Sequence, residues 1–145
     1  MNRILSRSAG ETEAAGTAFA LRLRPGDVVA LTGTLGSGKT RFVSGVCRGL
    51  GVAARVTSPT FTLINEYPAP FGMVAHIDMY RINGMKEVAE LGLEEYFNDR
   101  CVCLIEWAEA VLDILPPARF RVAFAHGGTE SERLIELEGP PDVPA

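Results

Sequence analysis

Gly33-Thr34-Leu35-Gly36-Ser37-Gly38-Lys39-Thr40 matches the pattern G-x-x-x-x-G-K-[ST] at every fixed position, which is the chemistry of a bound triphosphate. Glycines let such a loop curl until successive N–H groups converge on the β-phosphate. The helix that follows adds roughly half a positive charge at its N-terminus. Lys39 is expected to reach the β- and γ-phosphates, and the Thr40 hydroxyl to hold Mg²⁺.

Hydrolysis also needs a carboxylate beyond a second apolar strand, where it can meet the metal of the bound nucleotide. Glu106 follows Val102-Cys103-Leu104-Ile105, and ligands in open α/β sheets gather at the carboxyl ends of strands. Asp is the usual residue there, and Glu supplies the same hard oxygen on a longer arm. The other reading is a helix-start carboxylate favoured by the dipole. Asp78 lies among His76, Tyr80 and Arg81, and strand alternation puts His76, Asp78 and Tyr80 on one face. It fits a general-base or metal-linked role, or a plain solvated carboxylate. His76 reads first as a hydrogen-bonded strand histidine sharing a face with Asp78. Thr57, Ser58 and Thr60 either order around the γ-phosphate and Mg²⁺ or simply form a turn about Pro59. Trp107 is a core or interface anchor.

These residues need particular elements to position them. Val28-Val29-Ala30-Leu31-Thr32, launched by the turn Pro25-Gly26-Asp27, reads as a strand buried on both faces. Phe42, Val43, Val46 and Leu50 fall on one face of a helix that Gly49 and Gly51 stop. Upstream, past the apolar start Ile4-Leu5, Thr12 is expected to cap a helix whose buried face is Ala14, Ala15, Ala18, Phe19 and residues 21–23, ending before Pro25. Residues 62–67 and 73–80 read as the strands of a hairpin about a turn at 68–72. A helix interrupted at Gly92 covers 85–95, the strand before Glu106 is buried, and a short helix spans 107–112. Two last strands, 120–125 and 134–137, flank Gly127-Gly128. The order predicts an α/β domain over 1–138 of the P-loop NTPase type. Its sheet is centrally and mostly parallel, with antiparallel hairpin additions and helices on both faces, and residues 139–145 form a flexible tail.

The chain has 145 residues, enough for one core but short for an enzyme with its own substrate domain. A net charge of −4 argues against tight, sequence-independent nucleic-acid binding, so any work on nucleic acid is expected to be indirect. Cys47, Cys101 and Cys103 make an odd number, and Cys101-x-Cys103 lacks metal-knuckle spacing, so packing in a reducing compartment is expected. With no run near the ~18 apolar residues of a membrane span and no signal-peptide core, the expected location is the cytoplasm, away from membranes.

Together the phosphate loop, residues 57–63 (TSPTFTL), residues 76–81 (HIDMYR) and residues 104–109 (LIEWAE) resemble the TsaE (YjeE) family in order and spacing over nearly the whole chain. These are bacterial ATPases of tRNA threonylcarbamoyladenosine (t6A) synthesis. The resemblance implies that Thr40 and Glu106 bind Mg²⁺ and that Lys39 and the loop residues Leu35, Gly36, Ser37, Gly38, Thr40 and Arg41 bind ATP. It also implies that Asp78 is needed for activity, that Ser58-Pro59-Thr60 acts as a switch, and that Glu11 and Thr12 approach the adenine. The implied partners are TsaB and TsaD, whose transferase is reset by ATP hydrolysis to ADP; tRNA is served indirectly. Many relatives have a second Thr at the position of Arg41 and Asp at that of Thr34.

Two other classes use the same loop. A small nucleotide kinase generally needs several lid arginines, and only Arg81 and Arg100 lie between Asp78 and Glu106. A GTP switch would carry Asn-Lys-x-Asp and Asp-x-x-Gly, and neither string occurs.

Overall fold

The computed structural model describes residues 2–33, 38–59, 63–82 and 84–140. Its centre is Val28–Gly33 (β2), whose residues Val28 to Leu31 are almost wholly shielded from solvent. A strand buried on both faces needs parallel neighbours, and β2 has two: Cys101–Glu106 (β5) and Phe120–His126 (β6). Gly72–Asp78 (β4) extends the parallel set beyond β5. Antiparallel strands close both edges. Arg133–Glu138 (β7) and Asn2–Ser6 (β1) lie beyond β6, and Ile64–Ala69 (β3) lies beyond β4, in the order β1-β7-β6-β2-β5-β4-β3. The parallel centre with antiparallel additions is the expected architecture.

The sheet separates two cores. Phe19, Phe42, Val43, Val46, Leu31 and Leu104 pack under Ala9–Ala20 (α1) and Lys39–Gly49 (α2) on one face. On the other face Ile77, Val88, Leu93, Ile105 and Val111 pack under Met85–Leu91 (α3) and short 3-10 turns at Leu93–Tyr96, Ala108–Ala110 and Leu112–Ile114. Cys47, Cys101 and Cys103 are buried free thiols in these cores, and burial pushes Cys47 up to about 12. No helix among the described residues is long and apolar enough to cross a membrane.

Glycine sets the spacing of α1 and α2. A Cβ on Gly45 would lie 1.9 Å from the Glu13 carbonyl oxygen, and one on Gly16 would lie 2.2 Å from that of Phe42. The Thr17 hydroxyl exploits this approach by donating to the Gly45 carbonyl at 3.1 Å. Both obstacles are backbone, so relief requires moving a helix. Gly45→Ala is expected to destabilise the fold by about 3 kcal/mol, read as a lower urea midpoint at unchanged slope.

Several local expectations need correction. Ser8, not Thr12, caps α1: its backbone is extended and its hydroxyl accepts from the Glu11 N–H at 3.1 Å. Thr12 lies inside the helix, buried, with its hydroxyl 2.6 Å from that of Ser6. The buried face of α1 is Thr12, Gly16, Phe19 and Ala20, while Ala14, Ala18 and Leu21 face outward, because the glycine contact with α2 rotates the helix. The start 2–6 is a full edge strand rather than a short apolar start. The hairpin is tighter than expected, since β3 runs through Pro68, which an edge strand tolerates. β4 ends at Asp78, so Tyr80 is not on its face. The helix expected over 107–112 is a pair of one-turn 3-10 segments, because Trp107 adopts a left-handed backbone (φ 57°).

Candidate functional site

The parallel strands present their carboxyl ends to one edge of the sheet, where β2 ends at Gly33 and β4 and β5 end on the carboxylates Asp78 and Glu106. Asp78 and Glu106 are direct register partners on adjacent strands. Strand alternation turns His76, Asp78 and Glu106 toward the face covered by α2, the side on which Val74 and Leu104 enter the core.

The N-terminus of α2 completes the edge. Gly38 precedes it in a left-handed conformation (φ 98°), makes no side-chain cap bond, and no acidic residue follows in the first turn. Such an end leaves amide donors for an outside acceptor, which is how helices receive phosphate. Gly33 must be glycine as well. Its φ is 134°, and a Cβ there would lie 2.4 Å from the Phe124 carbonyl oxygen. Gly33→Ala is expected to destabilise the fold by about 2 kcal/mol, measurable as a lower urea midpoint.

Lys39 is only 5% exposed and its ammonium donates to the Gly33 carbonyl oxygen at 2.6 Å. It also lies 3.7 Å from the centroid of the Trp107 ring, which Tyr80 flanks at 4.8 Å. Burial pulls the Lys39 pKa down, and Glu109, Glu106 and Asp78 oppose that shift in decreasing order. The Thr40 hydroxyl contacts both Glu106 carboxylate oxygens at 3.1 Å. Glu106 and Asp78 are each 4% exposed, and Asp78 accepts from the Tyr80 N–H at 2.8 Å.

The donor set fits a magnesium ion carried by a triphosphate. Hydroxyl and carboxylate oxygens are hard ligands, and Mg²⁺ is usually held by one or two protein oxygens together with phosphates and water. Thr40 and Glu106 would hold the ion, with Asp78 beside them.

Thus the adjacent pair Lys39 and Thr40 comes together with Asp78 and Glu106, each distant in sequence. Leu35, Gly36, Ser37 and Thr60 lie outside the described residues. Thr12, Gly38 and Arg41 line a cavity of ≈ 240 Å³ with Ser8 and Arg133, whereas the Glu11 carboxylate accepts from the Arg7 N–H at 3.1 Å and belongs to the helix cap. Arg41 reaches Glu13 at 3.5 Å, and Glu13 also pairs with Arg48 at 3.1 Å. Ser58 is exposed on the wall of a larger cavity, ≈ 820 Å³, that Thr40, Arg41, Arg48, Arg55 and Thr57 also line. The Pro59 carbonyl accepts from the Leu63 N–H.

Glu109 was not among the expected site residues. Its carboxylate accepts from the Gly33 N–H at 3.0 Å and faces Lys39. Only its place three residues after Glu106 marks it in sequence, since the 3-10 turn that returns it to the loop is a tertiary feature.

Relatives of known family share this plan. The sequence model for "Threonylcarbamoyl adenosine biosynthesis protein TsaE" matches residues 6–135. The tRNA threonylcarbamoyladenosine biosynthesis protein TsaE of Bacillus subtilis (strain 168) is 40% identical over 124 residues, spanning 86% of this chain and 77% of that protein. Its counterpart from Treponema pallidum (strain Nichols) is 41% identical, spanning 79% and 84%. The crystal structure of Bacillus subtilis YdiB superposes with a TM-score of 0.81 at 34% identity, covering 97% of this chain and 86% of that one. Sequence and fold therefore place the chain in the TsaE family.

Proposed function

We propose that this protein is a Mg²⁺-dependent ATPase that works in the cytoplasm in tRNA t6A biosynthesis. One observation carries the enzymatic half: Lys39, Thr40, Asp78 and Glu106 converge at the uncapped start of α2. In this reading Lys39 leaves the Gly33 carbonyl for the phosphates, and the first-turn amides of α2 bind the same group. Mg²⁺, held by Thr40 and Glu106, would supply charge neutralisation for the phosphoryl transfer. Thr40 and Glu106 orient the ion, and Asp78, buried and held by the Tyr80 N–H, orients the attacking water. The cavity beside Thr12, Gly38 and Arg41 receives the base.

The pathway half rests on the family. Relatives at 40–41% identity carry the name of t6A biosynthesis proteins. This chain's hydrolysis serves a partner's reaction, the TsaB–TsaD transferase, which it supports or resets.

A thermal melt tests the nucleotide. ATP with Mg²⁺ at a hundredfold excess over its dissociation constant is expected to stabilise the fold by about 2.7 kcal/mol, a rise of about 8 °C. A larger shift with GTP would overturn the assignment to ATP. For the pathway, turnover is expected to be slow alone and to rise on adding TsaB and TsaD; rapid phosphoryl transfer to a small acceptor would instead identify a kinase.

A further inference from the structure

His76 is completely buried in the α2-side core, two residues before Asp78 on β4. Its Nε2 lies 2.5 Å from Glu106 Oε2, while Nδ1, equally buried, has no hydrogen-bond partner among the described residues. A carboxylate only accepts, so Nε2 is the donor in this contact. Beyond the ring lies Tyr67, at 6.4 Å between centroids, whose hydroxyl is tied to the Thr57 backbone at 3.2 and 3.3 Å.

A histidine here is a poor packing residue. An unmatched buried nitrogen costs stability that Leu or Met would not lose, and the single bond the ring makes goes to Glu106. Glu106 needs that bond. Glu has one more rotatable torsion than Asp and samples more staggered positions unless something holds it. His76 engages Oε2, and Thr40 reaches both oxygens, so Oε1 keeps lone pairs facing Thr40 and the ion that Thr40 would share.

The geometry points to His76 as a positioning residue: from Nε2 it pins Oε2 of Glu106 and so aims Oε1 at the metal. It takes no part in the reaction itself. The inference rests on the metal role proposed for Glu106. Hydrogen-bond partners standing behind a metal ligand are typically worth ten- to a hundredfold in metal affinity.

The test uses the full chain and its single tryptophan, Trp107, adjacent to Glu106 and stacked on Lys39, as a fluorescent reporter. Mg²⁺ is titrated into the ATP-saturated wild type, His76→Leu and His76→Gln. His76→Leu is expected to raise the half-saturating Mg²⁺ concentration about tenfold or more while ATP affinity in EDTA stays unchanged. His76→Gln, whose amide nitrogen can reach the former Nε2 position, is expected to recover most of the loss. A His76→Leu protein with wild-type Mg²⁺ dependence, or a His76→Gln protein no better than His76→Leu, would overturn the assignment. Long-range ¹H–¹⁵N spectra of the unliganded wild type test the bond itself and need no variant to fold. A protonated Nε2 supports it, and an unprotonated Nε2 rejects it. A wild type without Mg²⁺-linked ATP binding would sink the ATPase reading and the metal-aiming role together. The spectra would then still judge the His76–Glu106 bond.

Discussion

Lys39→Ala is expected to lower ATP affinity and turnover together by at least about a thousandfold, equivalent to about 4 kcal/mol. The size follows from where the cation sits. Lys39 is nearly buried, and three carboxylates, Glu109, Glu106 and Asp78, oppose the lowering of its pKa by burial. A cation already stripped of water acts on a phosphate in a medium that screens it weakly. The unliganded variant should still fold, because the substitution removes the cost of a desolvated charge along with the hydrogen bond to the Gly33 carbonyl. Isothermal titration with ATP and a melt without it separate the two effects. Wild-type affinity in a folded Lys39→Ala protein would remove Lys39 from the phosphate site.

Glu106→Ala is expected to divide binding from chemistry. ATP binding in EDTA should survive, since the amides of α2 and Lys39 remain, while Mg²⁺-dependent kcat falls about a hundredfold or more. The same change leaves the buried His76 Nε2 and the Thr40 hydroxyl without their shared acceptor, so the melting temperature should fall by the equivalent of about 2 kcal/mol. Single-turnover hydrolysis at 25 °C, well below the melt, reads the chemical loss without interference from unfolding. Unchanged turnover would show that Glu106 is not the metal ligand.

Much of the fold was legible because it depends on short-range patterns. The apolar β-branched run of β2 and the α2 stripe Phe42, Val43, Val46 each announce their element within a dozen residues. Gly92 marks the end of α3 for a local reason too, its left-handed C-cap. What failed locally was decided by distant partners. Thr12 has the side chain of a cap, yet Ser8 wins because Thr12 is drawn inward to Ser6 and α1 is rotated by the glycine contact with α2. The first residues have no strong strand signal of their own and become β1 only by pairing with β7.

For the site, the amino-acid sequence alone marked the candidate residues: which lysine, which hydroxyl and which two carboxylates. Those follow from residue type and from position at strand ends, both of which are local. It could not say how the carboxylates meet the loop. That Asp78 sits level with Glu106 depends on the register of two strands far apart in the chain, and that Glu109 folds back onto Gly33 depends on the left-handed turn at Trp107. His76 shows the division most plainly. Read in sequence it was an ordinary strand histidine; packing buries it with one nitrogen on Glu106 and the other on nothing among the described residues. Hydrogen bonds between strands, and the burial that removes competing water, are properties of the assembled sheet, so only the tertiary structure could decide them.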